Sequence, residues 1–87
     1  MTHPITMLDY NNYIHIAITL LFKESEEEDN VHTFTISYTT DTREAHIHVT
    51  FGTPTQSRIY IFRRTDTDQS NTQEFERMIR EIQQAHP

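Results

Sequence analysis

The strongest constraint on the fold is a two-residue alternation of apolar and polar side chains that recurs along the chain. It is visible in residues 13–22, 31–40 and 45–51, and a fourth segment of similar length, residues 58–64, carries apolar side chains on both faces. A period of two is typical of β-strands, in which successive side chains point to opposite faces of a sheet. Short polar stretches separate the segments and favour pairing between neighbours in sequence. The sequence therefore predicts an antiparallel sheet of about four strands.

The alternation also assigns the faces of the predicted sheet. One face carries large apolar side chains: Ile14, Ile16, Ile18, Leu20, Phe22, Phe34, Ile36, Tyr38, Ile47, Val49 and Phe51. The other face of the middle strands carries mostly hydroxyl and imidazole groups: Thr33, Thr35, Ser37, Thr39, His46, His48 and Thr50. The fourth segment is apolar on both faces, so its orientation is open.

The end of the chain has the pattern of an amphipathic α-helix over residues 72–85. Four apolar side chains fall on one helical stripe: Phe75, Met78, Ile79 and Ile82. Asn71 stands at the expected N-cap with Glu74 three residues later, which resembles a capping box. Glu76 with Arg80 and Arg77 with Glu81 are four residues apart and can form ion pairs.

These elements predict one α+β domain in two layers, a four-stranded sheet (ββββα) packed against a C-terminal helix. The expected boundaries are an N-terminal arm at 1–11, the sheet at 12–64, a connector at 65–71 and the helix at 72–85. With 87 residues a second domain is not expected. The absence of cysteine excludes disulfides, and no secretory signal or membrane-spanning run is evident. A cytoplasmic location is expected.

A simple meander of these strands has an unusual feature at its edges. Its first and fourth strands would lie at the edges, yet they are the most apolar on both faces. Edge strands are usually protected by charge, proline or bulges. Either the strand order differs, or an edge pairs with another chain, as a homodimer or by strand addition to a partner.

Acidic residues are concentrated in one stretch, which we expect to be a loop. Its members are Glu24, Glu26, Glu27, Glu28 and Asp29, and the whole chain has a formal net charge of −6. Such a charge repels phosphate backbones, so direct nucleic-acid binding is not expected. The loop is either a solvated turn or an element that binds a basic surface on another protein.

Motifs for catalysis or cofactor binding are weak in this sequence. His46 and His48 would share a face of one strand, and His15 would point the same way, but no third ligand has suitable spacing. Glu44 with a histidine and Arg58 or Arg64 has the residue types of an acid–base nuclease, without a motif that fixes their geometry. We therefore expect a non-enzymatic protein without metal or cofactor.

The functional expectation is a protein-binding module, in one form an inhibitor that covers a basic functional surface of its partner. Tyr60 and Phe62, flanked by Arg58 and Arg64, would add a binding hot spot if both rings face outward; they could equally belong to the core. In profile only, the chain resembles phage anti-CRISPR proteins and immunity proteins. The alternative is a self-associating subunit, a homodimer formed through a sheet edge or through outward-facing side chains: Tyr13, Leu21, Tyr60 and Phe62.

Overall fold

The three strands and two helices of this protein follow the order αβββα. A computed structural model describes residues 6–64 and 68–85. Its elements are α1 (Thr6–Glu26), β1 (Val31–Thr39), β2 (Glu44–Phe51), β3 (Gln56–Arg63) and α2 (Asp68–Gln84). The strands form one antiparallel sheet in the order β1-β2-β3. The α+β class and the meander are confirmed, whereas the sheet has three strands and the described chain has two helices.

The prediction of a first strand at residues 13–22 is wrong, because these residues lie within α1. Nearly every position in this run is apolar, so the run fits a helical period as well as a period of two. The core-facing side chains of α1 are spaced three and four residues apart: Tyr13, Ile14, Ala17, Leu20, Leu21 and Glu24. Ile16 and Phe22, expected to face inward, are 48% and 51% exposed. From Thr6 onward the expected N-terminal arm is also helical, and residues 1–5 lie outside the described range.

The other three expected strands are confirmed as β1, β2 and β3, and their register assigns their faces. Ile47 lies opposite Ile36 on one side and opposite Tyr60 on the other. Residues directly opposite one another share a face, so these three side chains all point toward the helices. Ile47 and Tyr60 are fully buried, whereas Ile59 points to the opposite face and is 52% exposed. The orientation of β3 that would have turned Tyr60 outward is therefore not adopted.

The C-terminal helix is confirmed, but it begins one turn earlier than expected. It covers Asp68–Gln84, so part of the expected connector is helical and residues 65–67 lie outside the described range. Asn71 is consequently inside the helix and does not cap it. Met78 and Ile82 of the expected stripe are fully buried. The expected pair of Arg77 and Glu81 is present, with Nη1 and Oε2 3.4 Å apart.

One core lies between the sheet and the two helices, which cover the same face. Tyr13 of α1 packs beside Phe75 of α2, with ring centroids 6.1 Å apart, and its hydroxyl bonds the Thr72 hydroxyl. The α1–β1 turn is joined to α2 by buried Asn30, whose side-chain amide donates to the carbonyl oxygen of Ile82 at 2.9 Å. The buried apolar side chains are Ala17, Leu21, Val31, Ala45, Ile47, Val49, Phe51, Tyr60, Phe62, Met78 and Ile82.

Adjacent residues on α1 provide a test of its orientation. Because Leu21 is fully buried, Leu21→Ala is expected to lower the free energy of unfolding by about 2–5 kcal/mol. Phe22→Ala removes a half-exposed ring and one edge-on contact with Phe34, and is expected to cost only about 1 kcal/mol. Urea denaturation at low micromolar concentration measures both values. A strand at this position would give the reverse order.

Candidate functional site

The expected acidic loop is divided by the structure between the end of α1 and the turn that follows it. Glu24 is on the helix and buried, and its Oε1 accepts a bond from Asn30 Nδ2 at 3.1 Å. The remaining four residues are exposed and consecutive, and we refer to them as the acidic segment: Glu26, Glu27, Glu28 and Asp29. Asp29 has a left-handed backbone with φ of 54°, which turns the chain toward β1.

This acidic segment lies at the electrostatically unfavourable end of α1. The C-terminus of a helix carries a partial negative charge, so carboxylates there lower helix stability and basic groups raise it. The last turn of α1 contains a single basic residue, Lys23. A local placement that opposes stability is typical of residues kept for a function rather than for the fold.

The outer edge of β3 is covered by side chains of α2. Glu74 Oε2 accepts from the Ile61 amide at 2.8 Å, and Arg77 Nη2 donates to the Ile59 carbonyl at 3.3 Å. One turn earlier, Asn71 binds both backbone groups of Arg63, accepting from its amide at 3.2 Å and donating to its carbonyl at 3.0 Å. These bonds take the place that a further strand would occupy, so the β3 edge is closed.

Charge interactions hold the covering side chains in position. Arg77 bonds both oxygens of Glu74 at 2.9 Å and stacks over the Tyr60 ring, 4.8 Å from its centroid. Burial alone would raise the pKa of Glu74, but the bonds from Arg77 and from the Ile61 amide outweigh it and lower that pKa. Burial, and then the bond from its hydroxyl to Glu81, raise the pKa of Tyr60. Glu74 is thus an anion fixed against the strand edge.

The edge at β1 is different, because β1 has a strand neighbour on one side only within the described chain. Backbone groups of an antiparallel strand point alternately to one side and then the other. The backbone groups of Ile59 and Ile61 bond side chains of α2, so those of Thr35 and Ser37 must bond β2. The backbone amide and carbonyl of Ile36, between them, are therefore directed to the free edge. Phe34 and Tyr38 follow the same alternation.

A row of apolar side chains lies beside this free edge, and we refer to it as the edge row: Phe22, Phe34, Ile36 and Tyr38. Phe22 meets Phe34 edge-on, with ring centroids 5.2 Å apart. Ile36 and Tyr38, farther along the same strand, are left 39% and 47% exposed. β1 also has no charged residue and no proline, the usual protections of an edge. A register shift between Val31 and Thr33 interrupts only its first residues.

The opposite face of the sheet brings together part of the expected acid–base group. Glu44 binds His46 at 2.9 Å and Arg63 at 2.7 Å, and the bonds from His46 and then Arg63 lower the pKa of Glu44. Arg58 is directed to the helix side, where its Nε lies 3.9 Å from a Glu81 oxygen. The structure therefore joins Glu44 with a histidine and an arginine, but the arginine is neither of the two that were expected.

The histidines that could have shared a metal have other partners. His48 Nε2 lies 2.5 Å from the Ser57 hydroxyl, and His15 is on α1, across the sheet from His46 and His48. Among the residues that the structure describes, no cluster of three or more histidine, cysteine, aspartate or glutamate side chains could hold a metal ion.

The aromatic residues of the expected hot spot belong to the core. Tyr60 and Phe62 are fully buried, because their side chains point from β3 toward the two helices. Their flanking arginines lie at opposite ends of β3, where Arg58 binds the Ser57 carbonyl and the Arg64 amide donates to the Arg43 carbonyl at 3.1 Å. No continuous hot spot is formed by these four residues.

The other outward-facing residues expected at a dimer interface are also placed elsewhere. Leu21 is fully buried, and Tyr13 packs against α2. Sequence reasoning missed the apolar side chains of the edge row as a candidate interaction surface. Their signal was the absence of charge in β1, which could be recognised as significant only once β1 was known to be an edge.

Comparisons with protein-family models, curated proteins and solved structures found no match to this chain. No helix among the described residues is long and apolar enough to cross a membrane.

The closed edge can be tested with a matched pair of substitutions on α2. Glu74→Ala leaves the Ile61 amide without its acceptor and is expected to lower the free energy of unfolding by about 1–3 kcal/mol. Hydrogen exchange at the Ile61 amide should accelerate at the same time. Glu76→Ala, on the exposed side of the same turn, is expected to change the free energy by no more than about 0.5 kcal/mol. Equal effects of the two substitutions would contradict this role of Glu74.

The lowered pKa values of Glu44 and Glu74 predict how stability depends on pH. In the unfolded chain both carboxyls bind protons near pH 4.5, whereas in the folded protein they do so at lower pH. Their contribution is therefore complete above pH 4.5 and is lost as the pH falls through the folded pKa values. Glu74→Gln should show a smaller loss of stability below pH 4.5 than the unmodified protein, as measured by urea denaturation across the acid range. Glu76→Gln, which changes an exposed carboxylate on the same helix, serves as the control.

Proposed function

We propose that this protein is a non-enzymatic protein-binding module whose acidic segment contacts a basic surface of its partner. The observation that carries this proposal is the position of the segment. Four consecutive exposed acidic residues project from the unfavourable end of α1. The buried bonds of Glu24 and Asn30 fix the backbone at the base of the segment.

The surroundings of the acidic segment support a role in recognition rather than in solubility alone. Charge spread over a surface would serve solubility, whereas this chain places most of its excess negative charge in the acidic segment. A compact group of carboxylates attracts a basic surface over a range of about one Debye length, roughly 8 Å at physiological salt. Such attraction accelerates encounter and orients the two proteins. An inhibitor that covers the basic functional surface of another protein is one form of this function.

The acidic segment can be tested by two double variants with the same change in net charge. Glu26→Ser/Glu27→Ser should slow association with a basic partner and weaken its salt dependence, because the steering charge is reduced. The control Asp41→Ser/Glu76→Ser removes two exposed carboxylates elsewhere and should have a much smaller effect. Partners are first captured with the unmodified chain from a lysate of the producing cells and identified by mass spectrometry. Their association rates with each variant are then measured at several salt concentrations.

Equal association rates for the two double variants would contradict the proposal, since net charge alone would then be responsible. Retention of the same partners by a variant in which all four residues of the acidic segment are serine would contradict it as well.

Self-association is a second candidate function, favoured by a separate observation. One sheet edge is closed by α2 and the other is uncharged, unpaired within the described chain and adjacent to exposed apolar side chains. This difference between the edges supports the proposal that β1 pairs with a strand of another chain.

A further inference from the structure

We infer that the strand that pairs with β1 is β1 of a second copy, in a symmetric antiparallel dimer with Ile36 at its two-fold axis. The dimer would have one continuous six-stranded sheet. This inference deepens the second candidate function and is independent of the acidic segment as a binding site for other proteins.

The hydrogen-bonding alternation of β1 limits the possible registers. Phe34, Ile36 and Tyr38 direct their backbone groups to the free edge. In an antiparallel pair, residues that point toward each other exchange both of their bonds. Centring the pair on Ile36 lets all three residues of each copy form such bonds, and it avoids the irregular start of β1 near Val31. Phe34 of one copy then lies opposite Tyr38 of the other.

Side-chain chemistry on both faces fits this register. A two-fold axis perpendicular to the sheet keeps the helix side of one copy next to the helix side of the other. The ring of Tyr38 from the second copy would therefore reach Phe34 and the exposed side of Phe22, completing an aromatic cluster. On the opposite face, Thr35 would pair with Ser37, so hydroxyl groups meet hydroxyl groups and no like charges approach.

The charges at the two ends of β1 select antiparallel over parallel pairing. The acidic segment precedes β1, and exposed Arg43 follows it in the β1–β2 turn. In the antiparallel pair the acidic segment of one copy lies toward the β1–β2 turn of the other, which carries Asp41 and Arg43 and has no net charge. A parallel pair would instead bring the two acidic segments together. In this way a chain with a net charge of −6 can associate with itself without placing its main negative charges side by side.

The expected interface is modest in size. Nine residues of β1 span about 30 Å, and the edge row contributes four partly exposed apolar side chains along this length. We expect a total buried area on the order of 1,000 Å², the lower limit for a specific interface. The dimer should therefore form in the micromolar range rather than at nanomolar concentration.

The first experiment measures the dissociation constant of the dimer by sedimentation equilibrium. We expect a monomer–dimer equilibrium for the unmodified protein. Ile36→Lys should raise the dissociation constant at least tenfold, because the two introduced ammonium groups would meet at the axis. Ile59→Lys places the same charge at a more exposed isoleucine on the opposite face, and should change the constant less than threefold. Circular dichroism checks that both variants are folded.

The second experiment maps the register with single cysteines, which is straightforward because the chain has none of its own. The Cα atoms of a hydrogen-bonded pair are about 5.5 Å apart, within the range of a disulfide. Under mild oxidation Ile36→Cys should form a disulfide dimer much faster than Ile59→Cys. A mixture of Phe34→Cys and Tyr38→Cys should form a mixed disulfide faster than either protein forms one with itself.

A clean monomer at several hundred micromolar would overturn the inference and leave the acidic-segment proposal untouched. A dimer that resists Ile36→Lys, or that cross-links no faster at Ile36→Cys than at Ile59→Cys, would show that association uses another surface. Faster mixed cross-linking of Phe34→Cys with Ile36→Cys would place the axis elsewhere on β1 and overturn the Ile36-centred register.

Discussion

The rest of the structure depends on how the backbone amides and carbonyls at the two edges of a small sheet find hydrogen-bond partners. A three-stranded sheet has two edges, and each edge presents amides and carbonyls that need partners. At β3 those partners are side chains of α2, with Glu74 and Arg77 holding one another while each binds the strand. The same helix presses Met78 and Ile82 into the core. One element therefore both completes the hydrophobic layer and closes an edge, which fixes α2 along β3.

That arrangement determines which surfaces are left for interaction. With α2 committed to β3, α1 lies beside it and reaches only as far as Phe34 on β1. The outermost strand therefore keeps a partly uncovered apolar face and a free backbone edge. The acidic segment lies next to one end of this edge because the same short connection joins α1 to β1. The two candidate interaction surfaces are neighbours as a direct result of chain connectivity.

The proposed dimer and the proposed partner binding are physically compatible. Antiparallel pairing about Ile36 would place the two acidic segments at opposite ends of the joined strands, about 45 Å apart. A dimer of this kind could present two separate acidic sites, and two linked contacts raise the effective affinity for a partner with repeated basic surfaces. A monomer would retain a single site with the same local chemistry.

The secondary structure was predicted correctly where the apolar residues fit only one period, that of a strand or that of a helix. It was predicted wrongly where they fit both. In β2, the alternation of Ile47 and Val49 with histidines has no helical alternative, and both residues are in the core. In residues 13–22 of α1, apolar side chains occupy almost every position, so the period could not decide between strand and helix. The error at α1 led directly to the wrong strand count and to the wrong assignment of the sheet edges. The orientation of β3 was open for a related reason, since apolar residues on both faces fit either choice.

The sequence by itself determined the three strands β1, β2 and β3, the C-terminal amphipathic helix and the concentration of negative charge before β1. These features depend on local periodicity and composition, which a single chain displays without any tertiary context. Only the tertiary structure decided that residues 13–22 are helical, that Tyr60 and Phe62 are buried, and that β1 is the open edge. The physical reason is that each of these outcomes depends on how the helices pack against the sheet, which involves residues far apart in the sequence. An uncharged strand such as β1 has no unusual feature in a sequence and becomes significant only when nothing else in the described chain pairs with its outer edge.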